Sequence, residues 1–180
     1  MSIHRLNHAV LYIRDVATSV GFYRDVLGFR VKVEIPGRAA FLQAPGSTND
    51  HDLGLFAMGP QAGASPAGRS TVGMYHLAWE VETLNDLADL AVKLAEAGAL
   101  VGASDHTASK SLYAHDPDGL EFEVAWLVPA HLIDPADDGS AVAIKPLDIA
   151  KEKARYGADT LGGLGISIPI GVPGPQLTEA

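Results

Sequence analysis

The chain has 180 residues, 47% of them hydrophobic, which fits one domain or two small modules sharing a core. A net charge of −9, with no cluster of Lys or Arg, argues against a nucleic-acid or anionic-membrane surface. With no cysteine, disulfides, thiolate catalysis and Cys-based zinc sites are excluded, which is compatible with a cytoplasmic protein.

The opening residues, MSIHRLNHAV, carry no signal-peptide pattern. The stretch LNHAVLYIRDVATSVGFYRDVLGF (residues 6–29) begins with a strand that places His8 third. A helix follows, with Asp15 as its cap, an apolar stripe of Val16, Val20, Tyr23, Val26 and Leu27, and Gly28 as its stop. Short strands are expected at 29–35, 39–44 and 53–58. Residues 59–71, GPQAGASPAGRST, read as a linker. The stretch MYHLAWEVETLNDLADLAVKLAEAG (residues 74–98) then repeats the opening pattern. His76 is third in its strand, Thr83 caps the next helix, Leu84, Leu87, Ala91 and Leu94 form the stripe, and Gly98 is the stop. Strands are expected again at 100–102, 110–114 and 120–126.

Each half therefore reads β-α-β-β-β, and His8 and His76 stand at equivalent places in the two halves. The expected class is α+β: two tandem βαβββ modules, 1–58 and 72–126, forming a cupped mixed sheet. Residues 127–180 stand outside the repeat. They hold one helix-like piece near 146–156, then LGGLGISIPIGVPGP, which reads as an extended arm packed on the domain or on a partner subunit. The longest apolar stretch, 161–172, is short and broken by Gly and Pro, so no membrane span is expected.

In the last repeat strand, alternation puts Leu120, Phe122, Val124 and Trp126 on one face and Glu121, Glu123 and Ala125 on the other. Glu123 in the middle of so apolar a strand invites a partner, because a buried carboxylate without one is costly. Two His at repeat-equivalent positions and an inward Glu compose the two-His, one-carboxylate set typical of non-haem Fe(II), with Mn(II) as the alternative. The ordinary reading is a hydrogen-bonded core His on each strand. Counting back from Glu123 by the offset that separates His8 from His76 gives Leu55 as its repeat mate, which offers no fourth ligand. Asp116, Pro117, Asp118 and Gly119 supply the turn before the strand. His4, His115 and His131 match no motif and read as structural or surface residues.

The pattern NHAVLYIRD, FYRDVLGF, YHLAWEV, DPDGLEFEV resembles the vicinal oxygen chelate superfamily over residues 4–126. That group includes glyoxalase I, fosfomycin-resistance transferases, bleomycin-resistance proteins, methylmalonyl-CoA epimerase and type I extradiol dioxygenases. The resemblance implies metal ligands at His8, His76 and Glu123. Three ligands without a fourth carboxylate are similar to the extradiol dioxygenases, which implies a catecholic diol and O₂ as substrates. It also implies His51, in HDLGLF, as an acid/base, and Tyr113 with His106 as substrate-binding partners. Each has an ordinary reading too: His51 a solvated loop residue, Tyr113 a strand aromatic, His106 a surface residue. Alternatives on the same fold are a lyase, epimerase or thiol transferase, or a metal-free protein that sequesters a drug. A homo-oligomer is expected, with no nucleic-acid or membrane partner.

Overall fold

The computed structural model describes residues 3, 5–67, 70–134 and 144–163. The protein is α+β, with two mixed sheets and, among the described residues, three α-helices. It divides into two compact units. The first takes residues up to Tyr75 together with His115–Glu121, and the second takes His76–Ala114 and residues from Phe122 onward.

The first unit runs β1 (Ala9–Ile13), α1 (Val16–Asp25), β2 (Arg30–Ile35), β3 (Ala39–Gln43) and β4 (Leu53–Ala57). The sheet order is β1-β4-β3-β2, with β1 parallel to β4 and the other pairs antiparallel. α1 starts where expected, because the Asp15 carboxylate accepts the Thr18 N–H at 2.8 Å. The helix ends at Asp25, earlier than the stripe through Val26 and Leu27 implied; those two residues form a turn, and Gly28, with φ of +77°, takes the left-handed conformation that a glycine adopts freely. Alternation sorts the strands: Leu11, Ile13, Leu53 and Leu55 are buried with Val16, Val20 and Tyr23 of the helix, while Val10, Tyr12 and Phe56 are exposed. Each fully buried aliphatic side chain of this kind stabilises by about 1.5–3 kcal/mol.

The Asp116–Gly119 turn belongs to this unit and does more than reverse the chain. Asp116 Oδ1 accepts the N–H groups of Asp118 and Leu120, both at 2.9 Å, and the buried Tyr23 hydroxyl donates to Asp116 Oδ2 at 3.2 Å. The Asp118 carboxylate receives the Arg14 backbone N–H at 3.0 Å and its Nη1 at 2.8 Å. Arg14 Nε donates in turn to Ala62 O at 2.9 Å, which ties down the start of the 59–71 segment.

The second unit runs β5 (Leu77–Glu80), α2 (Leu84–Glu96), β6 (Leu100–Asp105), β7 (Ser109–His115) and β8 (Glu121–Leu127). A 3-10 turn at Ala130–Leu132, a short β9 (Lys145–Pro146) and α3 (Ile149–Tyr156) follow. The order is β5-β8-β7-β6-β9, with β5 parallel to β8. α2 opens on a capping box, in which Thr83 accepts the Asp86 N–H and Asp86 accepts the Thr83 N–H. Leu84, Leu87 and Leu94 of α2 are buried, as are Phe122, Val124 and Trp126 of β8, in agreement with the alternation read from the sequence.

The segment after the repeat is part of this unit. β9 extends the sheet by pairing with β6, Asp148 caps α3 by accepting the Lys151 N–H at 3.0 Å, and Trp126 Nε1 donates to Thr160 O at 3.1 Å. Most of the expected extended arm, from residue 164 on, lies outside the described residues, as does His4. Among the described residues no helix is long and apolar enough to cross a membrane.

Burial is the leading cause that holds the Asp116 carboxyl above its ordinary 3.8, with the Asp118 charge adding to it against the hydrogen bonds that Asp116 accepts. A carboxyl raised in the folded state contributes stability that is fully present below its unfolded pKa and is lost as pH rises through the folded value. The Asp116→Asn variant should therefore gain on the wild type as pH rises from 3.8 through that range, read by denaturant titration at each pH.

Candidate functional site

The parallel pairing of β5 with β8 sets the centre of the second unit. Ala78 is the register partner of Glu123, and His76 lies two residues before it on the same face, immediately ahead of β5. The outcome is a contact of 3.1 Å between His76 Nε2 and Glu123 Oε2, with the Glu123 side chain only 14% exposed. Asp116 N–H bonds to Leu120 O and closes the β7–β8 hairpin. Counting outward from that bond brings Tyr113 opposite Glu123. The Tyr113 ring lies 6.0 Å from the His76 ring, and its hydroxyl meets His106 Nε2 at 2.8 Å. Glu123 with His76 and Tyr113 with His106 thus form two polar pairs, whose His76 and Tyr113 rings neighbour each other within the unit.

In the first unit, His8 sits one residue ahead of β1, as His76 does ahead of β5. His8 Nδ1 meets Asn7 Oδ1 at 2.7 Å, an arrangement in which Nδ1 donates to the amide oxygen and Nε2 is left to face other groups. His51 packs beside it, with ring centroids 4.6 Å apart, and Phe41 stands edge-on to His51 at 5.1 Å. His51 Nδ1 meets Asp50 Oδ2 at 3.0 Å, and this hydrogen bond is the leading cause that lowers the Asp50 carboxyl below its ordinary range. With its side chain 21% exposed, His51 is no freely solvated loop residue.

The structure therefore brings together His8 with His51 in one unit, and His76, Glu123, Tyr113 and His106 in the other. Within either unit, no three His, Asp or Glu side chains among the described residues gather around one point. His115 is half exposed and meets Glu121 at 3.7 Å, and His131 is exposed, in line with surface roles for both.

The strand registers correct one inference from the sequence. Val10 pairs with Gly54 in the first unit as Ala78 pairs with Glu123 in the second, so the mate of Glu123 is Gly54 and not Leu55. Leu55 pairs with Leu11 and is fully buried on the helix side. The spacing differs because the second unit holds one residue more between its paired positions, and a shift of one residue turns a side chain to the opposite face. The consequence for ligands is unchanged, since Gly54 offers no donor. A Cβ at Gly54 would lie 3.3 Å from Val10 Cγ2 and 3.6 Å from Phe41 Cε1, so the position faces the same side as those residues.

Sequence reasoning missed Asn7, Asp50 and Phe41, which orient or pack against the two histidines. The only sequence signal for Asn7 and Asp50 is adjacency to His8 and His51. Phe41 arrives from β3, and nothing in the local sequence announces it.

The donors match in kind a divalent metal that prefers imidazole nitrogen and carboxylate oxygen. The 3.1 Å between His76 Nε2 and Glu123 Oε2 is the distance of a direct contact between the two groups.

Comparison with known proteins identifies the family of the chain. Residues 5–124 match the family profile described as "Glyoxalase/Bleomycin resistance protein/Dioxygenase superfamily". A catechol-2,3-dioxygenase of Bacillus subtilis is 36% identical over 126 residues, 68% of this chain and 42% of the relative, so the chain spans less than half of that protein. The biphenyl-2,3-diol 1,2-dioxygenase 3 of Rhodococcus globerulus is 30% identical over 97% of this chain and 87% of its own length. A solved glyoxylase/bleomycin resistance protein/dioxygenase domain from Frankia sp. EAN1pec superposes with a TM-score of 0.59 at 25% identity, covering 69% of this chain and 92% of that one. The chain belongs to the glyoxalase/bleomycin resistance protein/dioxygenase superfamily, the vicinal oxygen chelate group.

Proposed function

We propose that this protein is an extradiol ring-cleaving dioxygenase that acts on a small catecholic diol with O₂. The observation that carries the reading is the pairing of His76 with Glu123 at 3.1 Å on neighbouring strands, continued by Tyr113 and His106. Relatives named as catechol and biphenyl-diol dioxygenases support it. His8, His76 and Glu123 would hold the metal, Fe(II) or Mn(II). When bound, the metal would supply a Lewis-acid charge for a diol and redox access to O₂.

The chain's own residues have separable tasks. Glu123 is acceptor-only as a carboxylate and sets the charge of the site. Asn7 fixes the His8 tautomer. Asp50 fixes His51 in the same way, which leaves His51 Nε2 to take a proton from a substrate hydroxyl or return one. The Tyr113 hydroxyl orients a substrate oxygen, and His106 behind it sets the direction of that hydroxyl's hydrogen. Phe41 covers one edge of His51 and limits its contact with water.

Gly54, at the position equivalent to Glu123, offers no fourth ligand, and a three-ligand set favours the dioxygenase over the lyase reading. The protein is proposed to work in the cytoplasm and as a homo-oligomer.

Glu123→Ala should lose bound metal or weaken it severely, read by metal analysis of the purified variant; full occupancy would remove Glu123 from the ligand set. His51→Phe should keep metal and catechol binding and lower kcat about a hundredfold or more. Wild-type turnover in that variant would return His51 to a packing role. Tyr113→Phe should lower kcat by about tenfold or more with little change in metal content, since it removes one hydroxyl and keeps the ring. Robust turnover of a methylglyoxal–thiol adduct by the wild type, with none of catechol, would favour the lyase.

A further inference from the structure

The turn between β6 and β7 carries His106, and its backbone is unusual. Thr107 has φ of +68°, the only positive value for a residue other than glycine among those described. That is a rare conformation for a β-branched side chain. Around it lies a set of charges that the proposed chemistry does not use.

Lys110, at the start of β7, is fully buried. Its Nζ pairs with Asp105 Oδ1, donates to Thr107 O at 3.3 Å and lies 3.2 Å from Glu152 Oε2 of α3. The Glu152 approach is a charge contact outside hydrogen-bond angles, and Glu152 itself is 4% exposed. Asp105 also accepts the Thr107 N–H at 2.8 Å. Burial alone would raise the Asp105 carboxyl; Lys110, the Thr107 N–H and Lys145 together outweigh it and leave the group lowered. One ammonium therefore holds both backbone polar groups of Thr107, directly at the carbonyl and through Asp105 at the N–H.

A buried lysine needs compensating charge, and Glu152 supplies the half that comes from outside the hairpin. Helix α3 is fastened by further contacts, one of which again uses Lys110. The Tyr156 ring lies 5.5 Å from that of Trp126, Lys110 stands over the same ring at 5.6 Å, and Asn85 N–H bonds to Ala158 O at 3.0 Å.

We infer that Lys110, Asp105 and Glu152 are positioning residues, through which helix α3 holds the Thr107 turn in its left-handed conformation and so aims His106 at Tyr113. Residues outside the repeat are thereby built into the catalytic site. The inference rests on the reading of His106 as a site residue, and it deepens that reading.

The test uses the full chain in two variants, Glu152→Gln, which removes the charge and keeps the shape, and Tyr156→Leu, which loosens α3 by removing the ring that packs on Trp126 and lies under Lys110 while leaving every charged side chain in place. The indole N–H signal of Trp126 reports docking of α3, and far-UV circular dichroism reports folding. In each folded variant, the ring-nitrogen NMR shifts of His106 and its titration midpoint should move away from their wild-type values. With catechol as substrate, kcat should fall by about tenfold with KM changed by less than about twofold. Wild-type His106 ring signals in folded variants with α3 disturbed would overturn the inference, whatever the activity. Absent ring cleavage in the wild type would instead fail the dioxygenase reading, and the NMR arm would still decide this one. If both variants unfold, native-state hydrogen exchange on the wild type decides. Turn amides Thr107 and Ser109 that open together with the amides of α3 support the inference; turn amides that stay protected after α3 has exchanged overturn it.

Discussion

Everything proposed for this protein depends on one carboxylate held largely out of water. Glu123 is 14% exposed on a strand whose neighbours Phe122 and Val124 are buried, and desolvating a carboxylate is expensive unless something opposite in charge or rich in hydrogen-bond donors faces it. What faces it is His76 Nε2, delivered by the parallel register of β5 against β8. An imidazole alone compensates the charge when it is protonated. Under the proposed function a divalent cation held by both groups would supply that compensating charge.

The rest of each unit keeps that kind of arrangement fixed. Helix caps at Asp15 and Thr83 begin the helices that bury one face of each sheet, which leaves the opposite face for the histidines. The aspartates of the turn before β8 are consumed by Arg14, Tyr23 and backbone N–H groups. Both outer histidines, His8 and His51, have Nδ1 engaged by a neighbouring side chain, so that each presents Nε2. Engaging one nitrogen is how a protein selects the tautomer of the other.

Much of this is legible in the sequence, because it is periodic or capped. The two helices, the strand alternation around Glu123 and the equivalence of His8 with His76 all follow from the helical and strand periodicities and from Asp, Thr and Gly at the boundaries. The mate of Glu123 is misread as Leu55 because a constant offset has no means of seeing one extra residue in a connection; only hydrogen-bonded register shows that Gly54 holds the place. Lys110 is invisible for another reason. A lysine beside a turn reads as a solvated end, and its burial depends on Asp105 and on Glu152, which α3 brings in from beyond the repeat. The same holds for His51, whose loop composition reads as solvated but whose ring is enclosed by Phe41 and His8.

The most direct measurement is anomalous X-ray diffraction from crystals of the full chain loaded with Mn(II). The expected result is a single strong peak within roughly 2.2 Å of His8 Nε2, His76 Nε2 and a Glu123 carboxylate oxygen. A peak elsewhere, or none at saturating Mn(II) with His76 and Glu123 still paired to each other, would contradict the metal site and with it the proposed chemistry.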